Sequence, residues 1–361
     1  MSKKKICFIA QFPPPIHGLS KAVETLYNAD KDSSLIYEKI NITNNKAFLS
    51  NLLRLIRSDA DLYYFTISQT TGGNLRDLAL LKILELKKKS CLVHLHGGYY
   101  RNLVENDMKI WQRKANYSAI SKLSGAIVLS KSLKTIFLGM LDEDKIYVVE
   151  NCVDDQYLLQ DEYIQDKLIK QKTTSVKNVL WLSNFIRSKG YDIVLQLVKK
   201  EKERVSQGAP QKFYFHFAGK FFDEEERAYF ENFIEQYSLS EYITYHGVVG
   251  GKKKNNLLSM CDIFMLPTRY PNEGQPISIL EAMGNGMFIV TTDHAGIPDI
   301  VSNENGIVLK KDDSTDDLYE QLCNYDINRF CSICEKNIFF AKEKYTQKRY
   351  TKKIEEIFLN I

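Results

Sequence analysis

The chain has 361 residues, 44% of them hydrophobic and 26% charged, a globular composition long enough for two domains that each bury a core. Its net charge of +4 hides an asymmetry: residues 1–150 hold 22 Lys and Arg against 14 Asp and Glu, a balance of +8, while the remainder holds 27 against 31. No apolar stretch approaches the ~18 residues of a spanning helix, and seven scattered cysteines, an odd number, argue for reduced thiols rather than a disulfide scaffold and for a cytoplasmic location. The basic first half reads either as contact with an anionic surface (acidic lipid, a lipid-linked phosphate, nucleic acid) or as a surplus of solvated lysines.

Lys3–Lys5 precede the apolar run Ile6–Ala10, which is too short for the apolar region of a signal peptide and predicts a first buried strand. The loop Pro13–Ser20 follows, with Gly18 just before a helical pattern. Such a turn can bring backbone N–H groups to a phosphate, or it is an ordinary strand-to-helix connection. Further strands are predicted at Leu62–Thr66, Cys91–Leu95, Ala126–Leu129 and Ile146–Val149. Continuous apolar strands separated by helices indicate a parallel sheet covered on both faces. Alternation aims His94 and His96 the same way, but His96 stands at its strand's end, before Gly97 and Gly98. An imidazole there can hydrogen-bond a sugar hydroxyl or a reacting group, whereas His94 reads as core.

After Asn151–Asp154 the pattern loosens, and the polar residues 160–177 read as a connector. It restarts with strands at Val179–Leu182, Phe213–Ala218, Ile243–His246, Ile263–Leu266, Phe288–Thr291 and Gly306–Leu309, and helices at Asp223–Tyr237 and Gln275–Gly284. Cys331 and Cys334 form an isolated C-x-x-C with no second pair, which argues against zinc. A long amphipathic helix is expected over Ile338–Phe358. The reading is α/β: two doubly wound, Rossmann-like domains facing across a cleft, the first over 1–160 and the second over 176–340, with a C-terminal helix of about 341–361 crossing back to the first. The cleft is the expected site.

The chemistry concentrates in Pro271–Glu281. Glu273 and Glu281 stand eight positions apart around Gly274, Gln275, Pro276 and Ile277, where a loop turns into a helix, with Ser278 at the cap or in the first turn. Free backbone N–H groups and a positive helix end there suit an anion, with hydroxyl-rich groups on either side for the carboxylates. A nucleotide sugar meets that description. The segment Leu182–Gly190, at the end of a strand, adds Asn184 and the cations Arg187 and Lys189. Gly219, after a strand, and Val248, in the glycine-rich turn Thr244–Gly251, mark further strand-end loops.

These motifs, in this order, resemble the retaining glycosyltransferases of the GT-B fold, family 4 (glycosyl transferases group 1). The resemblance covers essentially the whole chain and rests most on the Glu-x7-Glu pattern of Glu273 and Glu281. It departs from the family's pattern where Gly18 stands without a second glycine, and where Asn184 occupies the place of an Arg. The resemblance implies that Lys189, with Arg187 or Asn184, grips the diphosphate; that Glu281 takes the ribose hydroxyls; and that Glu273 and His96 face the transferred sugar, with backbone groups of Gly18, Gly219, Val248 and Gly274–Ile277 on the donor. It implies front-face attack with retention, without a metal or other cofactor.

The expected activity is a hexosyltransferase-type transfer (EC 2.4) from a nucleotide sugar, UDP favoured over GDP, to a glycan or lipid-linked saccharide in bacterial surface polysaccharide biosynthesis. Peripheral contact with an anionic membrane at the inner face of the cell membrane goes with it. The alternatives are a nucleotide-sugar epimerase or hydrolase on the same fold, or a non-catalytic subunit. A dinucleotide oxidoreductase is disfavoured because no G-x-G-x-x-G follows the first strand, and no motif supports nucleic acid as a partner.

Overall fold

The computed structural model describes residues 3–14, 18–30, 32–310 and 313–361. The chain divides into two compact units, the first made of Met1–Cys152, Asn272–Gln275 and Gln347–Ile361, the second of Val153–Pro271 and Pro276–Thr346.

The first unit runs β1 (Lys4–Ala10), α1 (Gly18–Asn28), β2 (Leu35–Asn41), α2 (Phe48–Arg57), β3 (Leu62–Thr66), α3 (Thr71–Leu86), β4 (Ser90–His94), the short α4 (Tyr100–Asn102), α5 (Ile110–Ile120), β5 (Gly125–Val128) and β6 (Ile146–Val148). All strands are parallel, in the order β2-β1-β3-β4-β5-β6. Every residue of β3 and β5 is buried, which is why they read as unbroken apolar runs. The edge strand β2 alternates buried and exposed positions and carries Glu38 and Lys39. It therefore lacked that signal and is an element added to the expected set. Alternation along β1 sends Ile6, Phe8 and Ala10 to one face of the sheet and Cys7 and Ile9 to the other. The first face is closed by Tyr350, Ile354 and Phe358 of the C-terminal helix, with Phe358 edge-on to Phe8 and Tyr64 at 6.0 and 5.7 Å. Lys353 Nζ meets Glu150 Oε2 at 2.6 Å at the rim.

The second unit contains α6 (Ile164–Thr173), β7 (Lys177–Leu182), α7 (Tyr191–Ser206), β8 (Phe213–Ala218), α8 (Glu224–Gln236), β9 (Ile243–Tyr245), α9 (Gly251–Met260), β10 (Ile263–Leu266), α10 (Ile277–Gly284), β11 (Phe288–Thr292), β12 (Gly306–Leu309), α11 (Thr315–Cys323) and α12 (Ile327–Lys344). Its parallel sheet is ordered β12-β11-β10-β7-β8-β9, around a core led by Trp181, Phe185 and Phe217.

Three expectations are corrected here. The polar stretch read as a connector holds α6. That helix is anchored by buried polar groups beside the apolar Ile164 and Leu168: Lys167 Nζ donates to the carbonyls of Leu258, Ser259 and Cys261 (3.1, 2.8 and 2.7 Å), capping the end of α9, and Gln171 donates to Gly286 O at 2.7 Å. Burial holds the Lys167 amine down at about 8. The single final helix is two, α12 and Gln347–Asn360, interrupted at Tyr345, whose carbonyl is taken by Val153 N at 2.8 Å. And α10 begins at Ile277 rather than Gln275, with Pro276 as its cap residue and Ser278 in its first turn.

Candidate active site

In the second unit the chain leaves β7 toward β8 and β9 on one side, then returns to β10 on the other. The carboxyl ends of β7 and β10 therefore flank a topological switch point, where open α/β sheets hold ligands. The loops leaving those ends are tied together: Arg269 N donates to Ser188 O at 2.7 Å. Gly190 has φ +82, and a Cβ there would lie 2.4 Å from Pro267 O, so the Lys189-Gly190 pair reflects a turn with no room for a side chain. The Lys189 ammonium lies 4.5 Å from the centre of the Tyr270 ring. Gly219 also admits no side chain, since a Cβ would lie 1.7 Å from Ser183 O. Asn184 and Val248 are exposed in their loops. Arg187 turns to α8 instead: its guanidinium stacks 3.8 Å over Tyr229, and its backbone N–H donates to Glu226 Oε1 at 2.8 Å.

At α10, Ile277 opens the helix and Glu281 is buried one turn in. Glu281 Oε1 accepts from Lys254 Nζ at 2.6 Å. Burial pushes the Glu281 carboxyl above the usual carboxylate range; the Lys254 cation opposes that and Asp154 adds to it. Lys254 also lies 4.3 Å over the Tyr157 ring. The sequence reading missed Lys254. Its signal was a place on the face of α9 that carries buried Leu257 and Leu258, at the i, i+3 and i, i+4 spacings.

In the first unit, β4 ends at His94. That side chain is fully buried, with Nδ1 2.6 Å from the Tyr64 hydroxyl, and burial drives its basicity well below the ordinary histidine value. The His96 ring stacks on it at 3.9 Å. The segment Asn272–Gln275 packs against the turn that follows: Gly98 N donates to Asn272 O at 3.4 Å, and a Cβ on Gly274 would lie 2.9 Å from both Gly97 Cα and His96 O. Glu273 is thereby brought, buried, to the His96 turn. The space beside the Gly274 Cα is filled by the His96–Gly97 backbone, so this position admits no side chain. Gln275 is likewise engaged within the protein. It accepts from Asn151 N at 2.6 Å with Oε1, donates to Leu129 O at 3.1 Å with Nε2, and its carbonyl accepts from Asn151 Nδ2 at 2.8 Å. Asn151, and Gln69, which accepts from Tyr99 N at 2.7 Å, are supports the sequence reading did not find. Gly18 opens α1 with open space around it; Pro15–His17 of its loop lie outside the described residues.

Two six-stranded parallel sheets, each with helix-linked strands and its ligand-competent loops at the carboxyl edge, define the GT-B fold of glycosyltransferases. Residues 163–324 match the model of the family described as Glycosyl transferases group 1. Among solved structures, the fold is similar to that of Anabaena HepE in complex with UDP (TM-score 0.76, 14% identity, 99% of this chain and 100% of that one). It is similar also to a glycosyltransferase from Rickettsia africae (TM-score 0.72, 16% identity, 99% of this chain and 98% of that one). Among curated proteins, "Putative colanic acid biosynthesis glycosyltransferase WcaL" of Salmonella typhimurium is 34% identical over 86 residues, 22% of this chain. That match spans 21% of the relative's own length. An uncharacterized 41.2 kDa protein in the cps region of Klebsiella pneumoniae is 22% identical over 303 residues, 73% of this chain and 78% of that one.

Proposed function

We propose that this glycosyltransferase moves a hexose from a UDP-sugar to a glycan or lipid-linked saccharide of a bacterial surface polysaccharide, with retention of anomeric configuration, as a family 4 enzyme. The observation that carries the reading is the grouping, in one unit, of Lys189 at the switch point with the start of α10 and the buried Glu281–Lys254 pair. A cation and a helix start suit a diphosphate, and a buried carboxylate suits ribose hydroxyls. The HepE complexes with UDP and with UDP-glucose, on a similar fold, favour UDP. The WcaL and cps-region relatives favour a surface polysaccharide.

In the proposed step the bond from the sugar's anomeric carbon to the β-phosphate oxygen breaks, and the acceptor oxygen bonds to that carbon from the same face. The acceptor's proton passes to the departing phosphate oxygen. Lys189 and the N–H groups at the start of α10 stabilise the charge that gathers there, without a metal ion. Glu281 holds the ribose, with Lys254 fixing one of its oxygens; Glu273 and His96 hold the sugar and the acceptor side. Asn184, Gly219 and Val248 line the nucleotide's loops, and Arg187, engaged with Tyr229 and Glu226, braces the Lys189 turn from behind. We place the enzyme in the cytoplasm, at the inner face of the membrane.

The test is a panel of UDP- and GDP-sugars scored for a rise in melting temperature, followed by calorimetry of UDP with Glu281→Ala. A tenfold to hundredfold loss of UDP affinity is expected, since a hydrogen bond to a charged group contributes about 1.5–3 kcal/mol. Unchanged affinity removes Glu281 from the ribose site, and stabilisation by no UDP-sugar refutes the donor assignment.

A further inference from the structure

Helix α2 joins β2 to β3, and its inner face is fixed by burial: Asn51 and Leu55 are enclosed, with Asn51 Nδ2 donating to Asn41 O at 2.9 Å. At about 100° per residue, Leu49, Leu53 and Ile56 fall within roughly 60° of one another on a different face. They are 72%, 54% and 51% exposed. Three large apolar side chains one turn apart thus form a continuous outward stripe. Beside it stand exposed Arg54 and Arg57, with exposed Lys46 just before the helix. No acidic residue occurs between Phe48 and Arg57.

The end of the helix is basic as well. Lys87 Nζ donates to the carbonyls of Leu55, Ile56 and Ser58 at 3.0, 2.8 and 2.5 Å, which brings the run Lys87–Lys89 alongside. Lys88 is exposed, and the acids at this end are already engaged, Asp59 with Lys89 at 2.6 Å and Glu38 with Lys5 at 3.7 Å and the Ser58 hydroxyl at 2.6 Å.

An apolar stripe on a helix that carries cations and no acid, in the half of the chain whose balance is +8, matches one kind of surface well. An anionic bilayer offers hydrocarbon below and phosphate oxygens at the level of the rim. We propose that α2 is a membrane-surface contact: Leu49, Leu53 and Ile56 enter the headgroup–acyl boundary of an anionic bilayer, and Arg54, Arg57, Lys46 and Lys88 meet the lipid phosphates. This deepens the membrane-side part of the proposed function and rests on it. The contact places the first unit at the surface where a lipid-linked saccharide resides.

The experiment is co-sedimentation of the full chain with vesicles of phosphatidylcholine alone and of phosphatidylcholine with phosphatidylglycerol. Binding is expected to the second only, weakening as salt is added. The triple variant L49S/L53S/I56S lowers partitioning at least about tenfold, and R54Q/R57Q lowers it about 25-fold, roughly fivefold per charge. Because all five side chains are exposed, melting temperature and calorimetric UDP binding stay at wild-type values in both variants. Equal binding to neutral vesicles, wild-type partitioning in either variant, or no sedimentation of the wild type overturns the proposal. So does a wild-type dimer in sedimentation velocity that the serine variant dissolves, since a second copy would then be the stripe's occupant. UDP binding is read in the same samples, so its absence counts against the donor assignment and leaves the α2 contact to be judged by the vesicles.

Discussion

Replacing Lys254 by Met removes the cation paired with the Glu281 carboxylate while keeping the volume and the apolar stem. The two side chains are 18% and 4% exposed, with Nζ and Oε1 at 2.6 Å. Breaking a buried pair costs about 3–5 kcal/mol, because the remaining charge is left in a medium that solvates it poorly. Lys254 retains some contact with solvent, so the lower end applies, about 3 kcal/mol. At about 2–4 °C per kcal/mol for a unit of this size, Lys254→Met should melt roughly 6–12 °C below wild type at pH 8.

The pH dependence has a definite sign. Burial already holds the Glu281 carboxyl above the ordinary range, and loss of the cation raises it further. A group whose folded value lies above its unfolded one contributes stability at low pH and loses it as pH rises through the folded value. The deficit of Lys254→Met should therefore shrink on going from pH 8 to pH 5.5. The double variant Lys254→Met with Glu281→Gln should recover to within about 1 kcal/mol of wild type, since no buried charge then lacks a partner. Differential scanning calorimetry of the three proteins at both pH values reads all of this. A single-variant loss below about 1 kcal/mol, or a double variant no more stable than the single, would refute the pairing argument.

Lys189→Ala is expected to lower kcat about a hundredfold with a smaller change in UDP affinity, because charge on the leaving phosphate peaks in the transition state; a defect confined to KM rules that role out. Gln275→Leu leaves the Asn151 N–H and the Leu129 carbonyl without side-chain partners and should cost about 2–5 kcal/mol by urea unfolding, against which a wild-type midpoint would speak. Burial and the neighbouring His246 hold the His216 imidazole down at about 4, below its unfolded value. The stability it contributes is thus present above pH 6.5 and lost as pH falls toward 4, by about 2 kcal/mol after allowing for solvent screening. His216→Asn should flatten that part of the pH–stability curve, and an unchanged curve would acquit the histidine.

What could be read from the chain beforehand was what repeats locally. Strands β3, β8, β10 and β12 are covered on both faces or nearly so, and their apolar runs announce their ends within a residue. Strand β2, half of whose side chains face out, and helix α6, whose buried face mixes Lys167 and Gln171 with Ile164, carry no such mark. The candidate site divides the same way. Glu281, Lys189 and His96 stand at strand ends and a helix start, positions that local pattern reveals. Gln275 was legible as a position but not as a strap, because its partners Asn151 and Leu129 are 124 and 146 residues away in sequence. Lys254 was hidden among three consecutive lysines, of which helix geometry turns only one toward Glu281.

The first unit is assembled from three separated stretches, the last of them Gln347–Ile361. On the ribosome, β1 to β6 emerge long before Tyr350, Ile354 and Phe358, and Phe8 and Tyr64 meanwhile lack the rings that cover them. The second unit needs none of these late residues for its core, so it can close while the earlier-made unit is still open. The order of completion is then the reverse of the order of synthesis, and shortening the chain by its last helix would harm the amino-terminal sheet first.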